Sequence, residues 1–211
     1  MRRSTALIAS LVFAAPAHAA WAADVMFTVV NARNKPVADA VVTAFPAGGK
    51  AGAIRFPWAQ EMIQRNLQFD PFVLIVPVGA DVSFPNRDAV RHHVYSFSPT
   101  HPFELKLYGK DETRSVRFER AGVVALGCNI HDNMVAFIKV VDTPFAAKTD
   151  ADGHAVLRGL PAGAIPVKVW HPYLKAAGNE IGRTLTVAAS GDDRETVQID
   201  LRSAPDRRGG Y

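Results

Sequence analysis

One cysteine occurs in the whole chain, Cys128, and His131 and Met134 follow it within six residues. A thiolate, an imidazole and a thioether in the spacing Cys-x2-His-x2-Met form a soft donor set. Such a set suits copper cycling between two oxidation states, whereas zinc sites draw on Cys, His and carboxylate. Trigonal copper sites of this kind take a second imidazole besides the cysteine, the first histidine and a weak axial methionine. The stretch 82–97 offers it: an apolar run ends in Pro85-Asn86, a turn follows, and a second strand opens with His92 and His93. Neighbouring side chains on a strand point to opposite faces, so one of these two histidines turns inward and the other outward.

The elements that must position these groups are strands. Cys128 ends an apolar run over 122–126, and Met134 opens another over 135–141, so the three donors sit on a loop joining two antiparallel strands. His101 lies in a Pro-flanked turn and His154 in a turn after Asp152-Gly153, and both read as solvated. His171, inside Trp170-His171-Pro172, reads as the structural end of a strand. Asp132 reads as shaping the ligand loop. No Ser-His-Asp or paired-carboxylate arrangement is visible.

From about 68 to 141 the chain resembles the cupredoxins, small blue-copper domains of the plastocyanin and amicyanin type. The resemblance is carried by Phe69-Asp70-Pro71, by 76–86, by the His92 strand, by Gly122-Val123-Val124 and by the segment from Cys128 to Met134. The short ligand loop is similar to that of amicyanin, and the wider sequence resembles exported proteins labelled as methylamine-utilisation proteins. What the resemblance implies is a Greek-key sandwich holding one type 1 copper through His92, Cys128, His131 and Met134. The first histidine ligand in that family lies six residues after the strand-ending Asn, which from Asn86 falls on His92, with His93 as the alternative. Those relatives read Pro-His-Asn there, the Asn bracing the cysteine loop, where this chain reads Arg91-His92-His93. The resemblance further implies one-electron transfer, with His131 nearest the surface and Phe84, Val135 and Phe145 around it as a docking patch. It points to a c-type cytochrome or a periplasmic dehydrogenase as redox partner, to a monomer, and to a protein that is not an enzyme, since four protein ligands leave no open position.

Residues 1–22 read as a secretory signal peptide. A basic start precedes a short apolar stretch over 6–15 and two small-x-small cleavage options, Ala17-His18-Ala19 and Ala20-Trp21-Ala22. Export to the periplasm gives the lone thiol no disulfide partner, and binding as a metal thiolate removes that liability. Two of the 24 basic residues lie in the leader, so the mature chain carries a formal +2 against its 20 acidic residues. That balance, with basic residues scattered, argues against nucleic acid. Nothing after the leader resembles a transmembrane helix.

The remaining sequence reads as all-β. Strands over 25–30 and 41–45 form an opening hairpin, 46–52 is a loop, and 60–68 allows a short helix or the first strand of the copper unit, the strand being favoured. The run 72–78 is a strand buried on both faces, 103–108 alternates, and the charged stretch 109–114 is a hairpin connection to 116–118. Beyond 143 the short strand units of 149–172, with further strands at 185–187 and 196–201, look like the second half of a carboxypeptidase-regulatory-like sandwich. Its first half is the hairpin at 25–45. The resulting reading is a discontinuous β-sandwich over 24–50 plus 143–203, a cupredoxin unit over 60–142 inserted in it, and a polar tail over 204–211. Two rival functions share this architecture: a periplasmic copper carrier using the same ligands, and a carbohydrate- or protein-binding module, centred on Trp170 and His171, with an incidental metal site.

Overall fold

A computed structural model describes residues 22–49, 53–188 and 192–204. The leader expected over 1–22 lies outside the described residues apart from Ala22, and so does the tail beyond 204. The chain opens with β1 (Ala22–Asn31) and β2 (Val41–Ala44). The middle stretch carries β3 (Ile63–Arg65), β4 (Gln68–Asp70), β5 (Val73–Pro77), β6 (Ala80–Pro85), β7 (His92–Ser96), β8 (Phe103–Tyr108), β9 (Thr113–Phe118), β10 (Gly122–Cys128) and β11 (His131–Val141). The last stretch adds β12 (Ala146–Lys148), β13 (His154–Pro161), β14 (Gly163–Trp170), β15 (Glu180–Val187) and β16 (Asp192–Ile199). The fold is all-β, and among the described residues no helix is long and apolar enough to cross a membrane.

Two packed bodies of sheet follow from the burial pattern. In β1, Ala23, Val25, Phe27 and Val29 are buried while the residues between them are not, the alternation of a strand with one face on a core. β1 lies between β13 and β16, and facing this sheet is a second one in the order β12-β2-β14-β15. The core between them draws on residues from 23 to 44 and from 145 to 199. The middle stretch forms a five-stranded sheet, β5-β11-β10-β7-β8, with a β6-β9 pair against it, and its core draws on Met62 to Val140. A third, smaller cluster joins the two bodies: Val73, Ile75 and Val141 pack on Val41, Ala146 and Trp170. Glu180 bridges Lys139 and Lys168, at 2.9 Å each, across the same seam.

Three local expectations are corrected. β1 and β2 do not form a hairpin: β1 pairs with β13 and β16, β2 with β12 and β14. The reason is the turn between them, where the Asn31 carboxamide accepts from the backbone N–H groups of Arg33 and Lys35 and Asn34 takes a left-handed conformation, carrying the chain from one sheet to the other. β8 and β9 likewise separate, β8 pairing with β7 and β9 with β6, so 109–114 is an arch between sheets and not a hairpin. The segment 60–68 holds no single strand. It is split by Asn66 and Leu67, both at φ 55°, into the β3–β4 hairpin. Trp170 and His171 are 2% and 6% exposed, so they are core and cannot present the binding surface that the module reading needs.

Candidate metal centre

β10 and β11 run antiparallel, with Gly127 opposite Val135 but Cys128 opposite His131. The three residues in between, Asp132 to Met134, therefore bulge out of the ladder. Asp132 and Asn133 face solvent and Met134 turns back into the core that also holds Cys128. The turn itself is only two residues long, so Met134 comes from within β11 and not from a connecting loop as expected. Along the other edge of β10, Cys128 pairs with Val94 of β7, which places His92, two residues earlier, beside the cysteine. Gly127 leaves room for the end of the Tyr95 ring, which a Cβ would approach to 2.8 Å and push aside.

The result is one cluster. Cys128 Sγ lies 3.7 Å from His92 Nδ1 and 3.5 Å from His131 Nδ1, and all three donor atoms fall within 4.8 Å of one another. A single ion bound at about 2.3 Å to sulfur and about 2.0 Å to nitrogen, with angles between tetrahedral and trigonal, separates those atoms by about 3.5–3.7 Å. The donor set thus fits one metal ion, and its chemistry fits copper. His92 and Met134 are fully buried and Cys128 nearly so, while His131 is only half-buried and is the member that reaches solvent. Of the candidates, the structure brings His92, Cys128 and His131 together with Met134 in the same core. His93 is on the opposite face, its Nε2 2.7 Å from Glu104. The cysteine loop is braced through backbone, the Asn129 N–H donating to the His93 carbonyl at 3.0 Å.

One residue of the candidate site escaped sequence reasoning. Asp88 Oδ2 stands 2.8 Å from His92 Nε2, and its carboxylate also accepts the backbone N–H groups of Asn66 at 2.6 Å and Leu67 at 3.1 Å. Its own N–H donates to the buried Asn86 carboxamide, which in turn donates to Val90 and Tyr108 carbonyls. An ionised carboxylate only accepts, so Nε2 carries the hydrogen and the Nδ1 lone pair is left facing Cys128. Burial pushes the His92 imidazole below its usual range, and the hydrogen bond and charge of Asp88 pull against that. The Asp-x3-His spacing is the only trace of this contact in the sequence.

The docking patch expected around His131 is corrected. Phe84 is fully buried, and Phe145 belongs to the core of the other body. Val135, the third residue of that patch, is half-buried, and Ile130, 44% exposed and next to His131, is a further apolar residue near that surface.

No protein-family profile matches the chain, and no curated protein matches it. Among solved structures it is similar to a purple cupredoxin from Nitrosopumilus maritimus, at 24% identity over 38% of this chain and 98% of that one, with a TM-score of 0.36. It is also similar to an amicyanin variant, at 23% identity over 47% and 99% of the two chains and a TM-score of 0.37. A copper-containing nitrite reductase from Thermus scotoductus matches at 24% identity over 54% of this chain but 28% of its own, with a TM-score of 0.38. These likenesses concern the fold of the part they cover.

Proposed function

We propose that residues 60–142 form a type 1 copper unit for one-electron transfer between periplasmic redox proteins, inserted in a discontinuous sandwich over 24–50 plus 143–203. The observation that carries the reading is the placement of Cys128 Sγ between the Nδ1 atoms of His92 and His131 at 3.7 and 3.5 Å. Bound copper supplies the one-electron cycle between its cupric and cuprous states. The protein's own part is to hold the donors still: Asp88 fixes the tautomer and ring plane of His92, the ladders to β7 and β11 fix the approach of β10, and the bulge delivers Met134. A buried, pre-organised donor set changes little between oxidation states. His131, as the half-buried member beside exposed Ile130, is the exit toward a partner such as a c-type cytochrome or a dehydrogenase. With Met134 as fourth donor there is no open position for a substrate, so the unit carries electrons and is not an enzyme.

The test is the visible spectrum of the protein after addition of cupric ion. An intense thiolate-to-copper charge-transfer band is expected, bleached reversibly by a mild reductant, absent in Cys128→Ser and His92→Ala, and retained in His93→Ala. Copper binding without that band would overturn the reading.

A further inference from the structure

On the seam between the two bodies, away from the metal centre, a cavity of about 430 Å3 opens where the edge strand β5 meets β12. Its walls include Trp58, Ile63 and Ile75, and its charged groups are Glu61, Asp70 and Lys148. Most hydrogen-bond donors among these groups are already committed, namely the indole N–H and two of the three ammonium hydrogens. The Trp58 indole N–H donates to the Ile75 carbonyl at 2.8 Å. The Lys148 ammonium donates to the Val73 carbonyl at 2.9 Å and pairs with Asp39 at 3.0 Å. The acceptors are not committed: Glu61 and Asp70 are exposed at the cavity and have no ion pair or side-chain hydrogen bond among the described residues. Phe56 stacks on the indole at 4.7 Å and 5°, holding it as a fixed wall.

A cavity with few donors left, two unpaired carboxylates and an aromatic, aliphatic lining selects by charge. An anion meets two negative charges and a lysine already neutralised. A sugar needs donors as well as acceptors. A bare divalent ion needs six to eight oxygen ligands, or a near-octahedral set, and finds hydrocarbon instead. What fits is a ligand that brings the positive charge and the N–H donors on an apolar body, satisfying the carboxylates while its hydrocarbon covers the lining and its charge lies near an indole. The volume is that of a small-molecule site. We propose that this cavity binds an amphipathic organic cation, an ammonium or guanidinium group carried on a hydrocarbon or aromatic body.

The experiment follows the Trp58 indole N–H resonance of the full-length protein by NMR, assigned with Trp58→Phe, during titration with n-hexylammonium chloride. A saturable shift in the millimolar range is expected. The Glu61→Gln/Asp70→Asn double variant, which keeps the Trp58 resonance as evidence of an intact seam, is expected to bind about tenfold more weakly, the loss of two ion pairs. The proposal is overturned if 1-hexanol binds as tightly as hexylammonium, if the double variant binds unchanged, if calcium chloride gives the same saturable shift, or if hexylammonium gives none. None of these outcomes depends on copper, so the cavity and the metal centre stand or fall separately.

Discussion

Both ring nitrogens of His92 are committed, one to Asp88 and one toward Cys128, and this double commitment separates it from its neighbour His93. Groups that orient a metal-binding imidazole through its far nitrogen are typically worth 10–100-fold in metal affinity. Asp88→Asn is therefore expected to lower copper affinity by about that factor, measured by competition with a chelator. In the copper-free protein, the same variant should lose the single Nε2–H tautomer of His92, read from its 15N shifts. Residue chemistry was the most legible layer of this chain. Cys128, His131 and Met134 announce a soft site by type and spacing alone, and strand alternation already required His92 and His93 to part. Asp88 was not legible, because its role depends on the β3–β4 turn, some 20 residues upstream, arriving to donate two backbone N–H groups to it.

At the scale of the element, alternation told which face of a strand is buried but not which strand lies beside it. That is why β1 with β2 and β8 with β9 read as hairpins in sequence and sit in different sheets in the structure. The deciding information was in the connections, above all in residues held at positive φ. Gly153, at φ +78°, ends the turn before β13, and a Cβ on it would meet the Val29 backbone carbonyl at 2.5 Å. Backbone on both sides leaves nothing flexible to give way, since the Gly153 carbonyl also accepts the Val29 N–H at 2.8 Å. Gly153→Ala is expected to destabilise the protein by about 2–4 kcal/mol through left-handed strain plus overlap, seen as a lower urea midpoint with an unchanged m-value.

For the whole molecule, pH acts also through the body away from the candidate metal centre. Burial pushes the His171 imidazole from 6.5 down to about 4, against the opposing pull of Asp39 and of a hydrogen bond to the Ala38 carbonyl. The unfolded chain takes up this proton near pH 6.5 and the folded one only near pH 4, so the stability it contributes is complete above 6.5 and drains away as pH falls through that window. The loss is at most about 3 kcal/mol, near 1.4 kcal/mol per pH unit. Urea unfolding at neutral pH and at about pH 4.5 is expected to show this fall in the wild type and a flatter profile in His171→Gln.

Strands β2 and β12 pair antiparallel, Thr43 opposite Ala146, and Thr143 closes the junction through the Ala44 carbonyl. They amount to a hairpin whose loop is about 100 residues long. Closing a flexible loop of that length costs about 2.6 kcal/mol more chain entropy than closing one of about five residues. Once the core of 62–140 has formed, the ends of that loop are already held together and the cost has been met. The two bodies should therefore fold in a fixed order, the inner before the outer. Phe118→Ala, in the inner core, is expected to slow the folding of both bodies in stopped-flow refolding. Phe27→Ala, in the outer core, should leave the inner phase at its original rate.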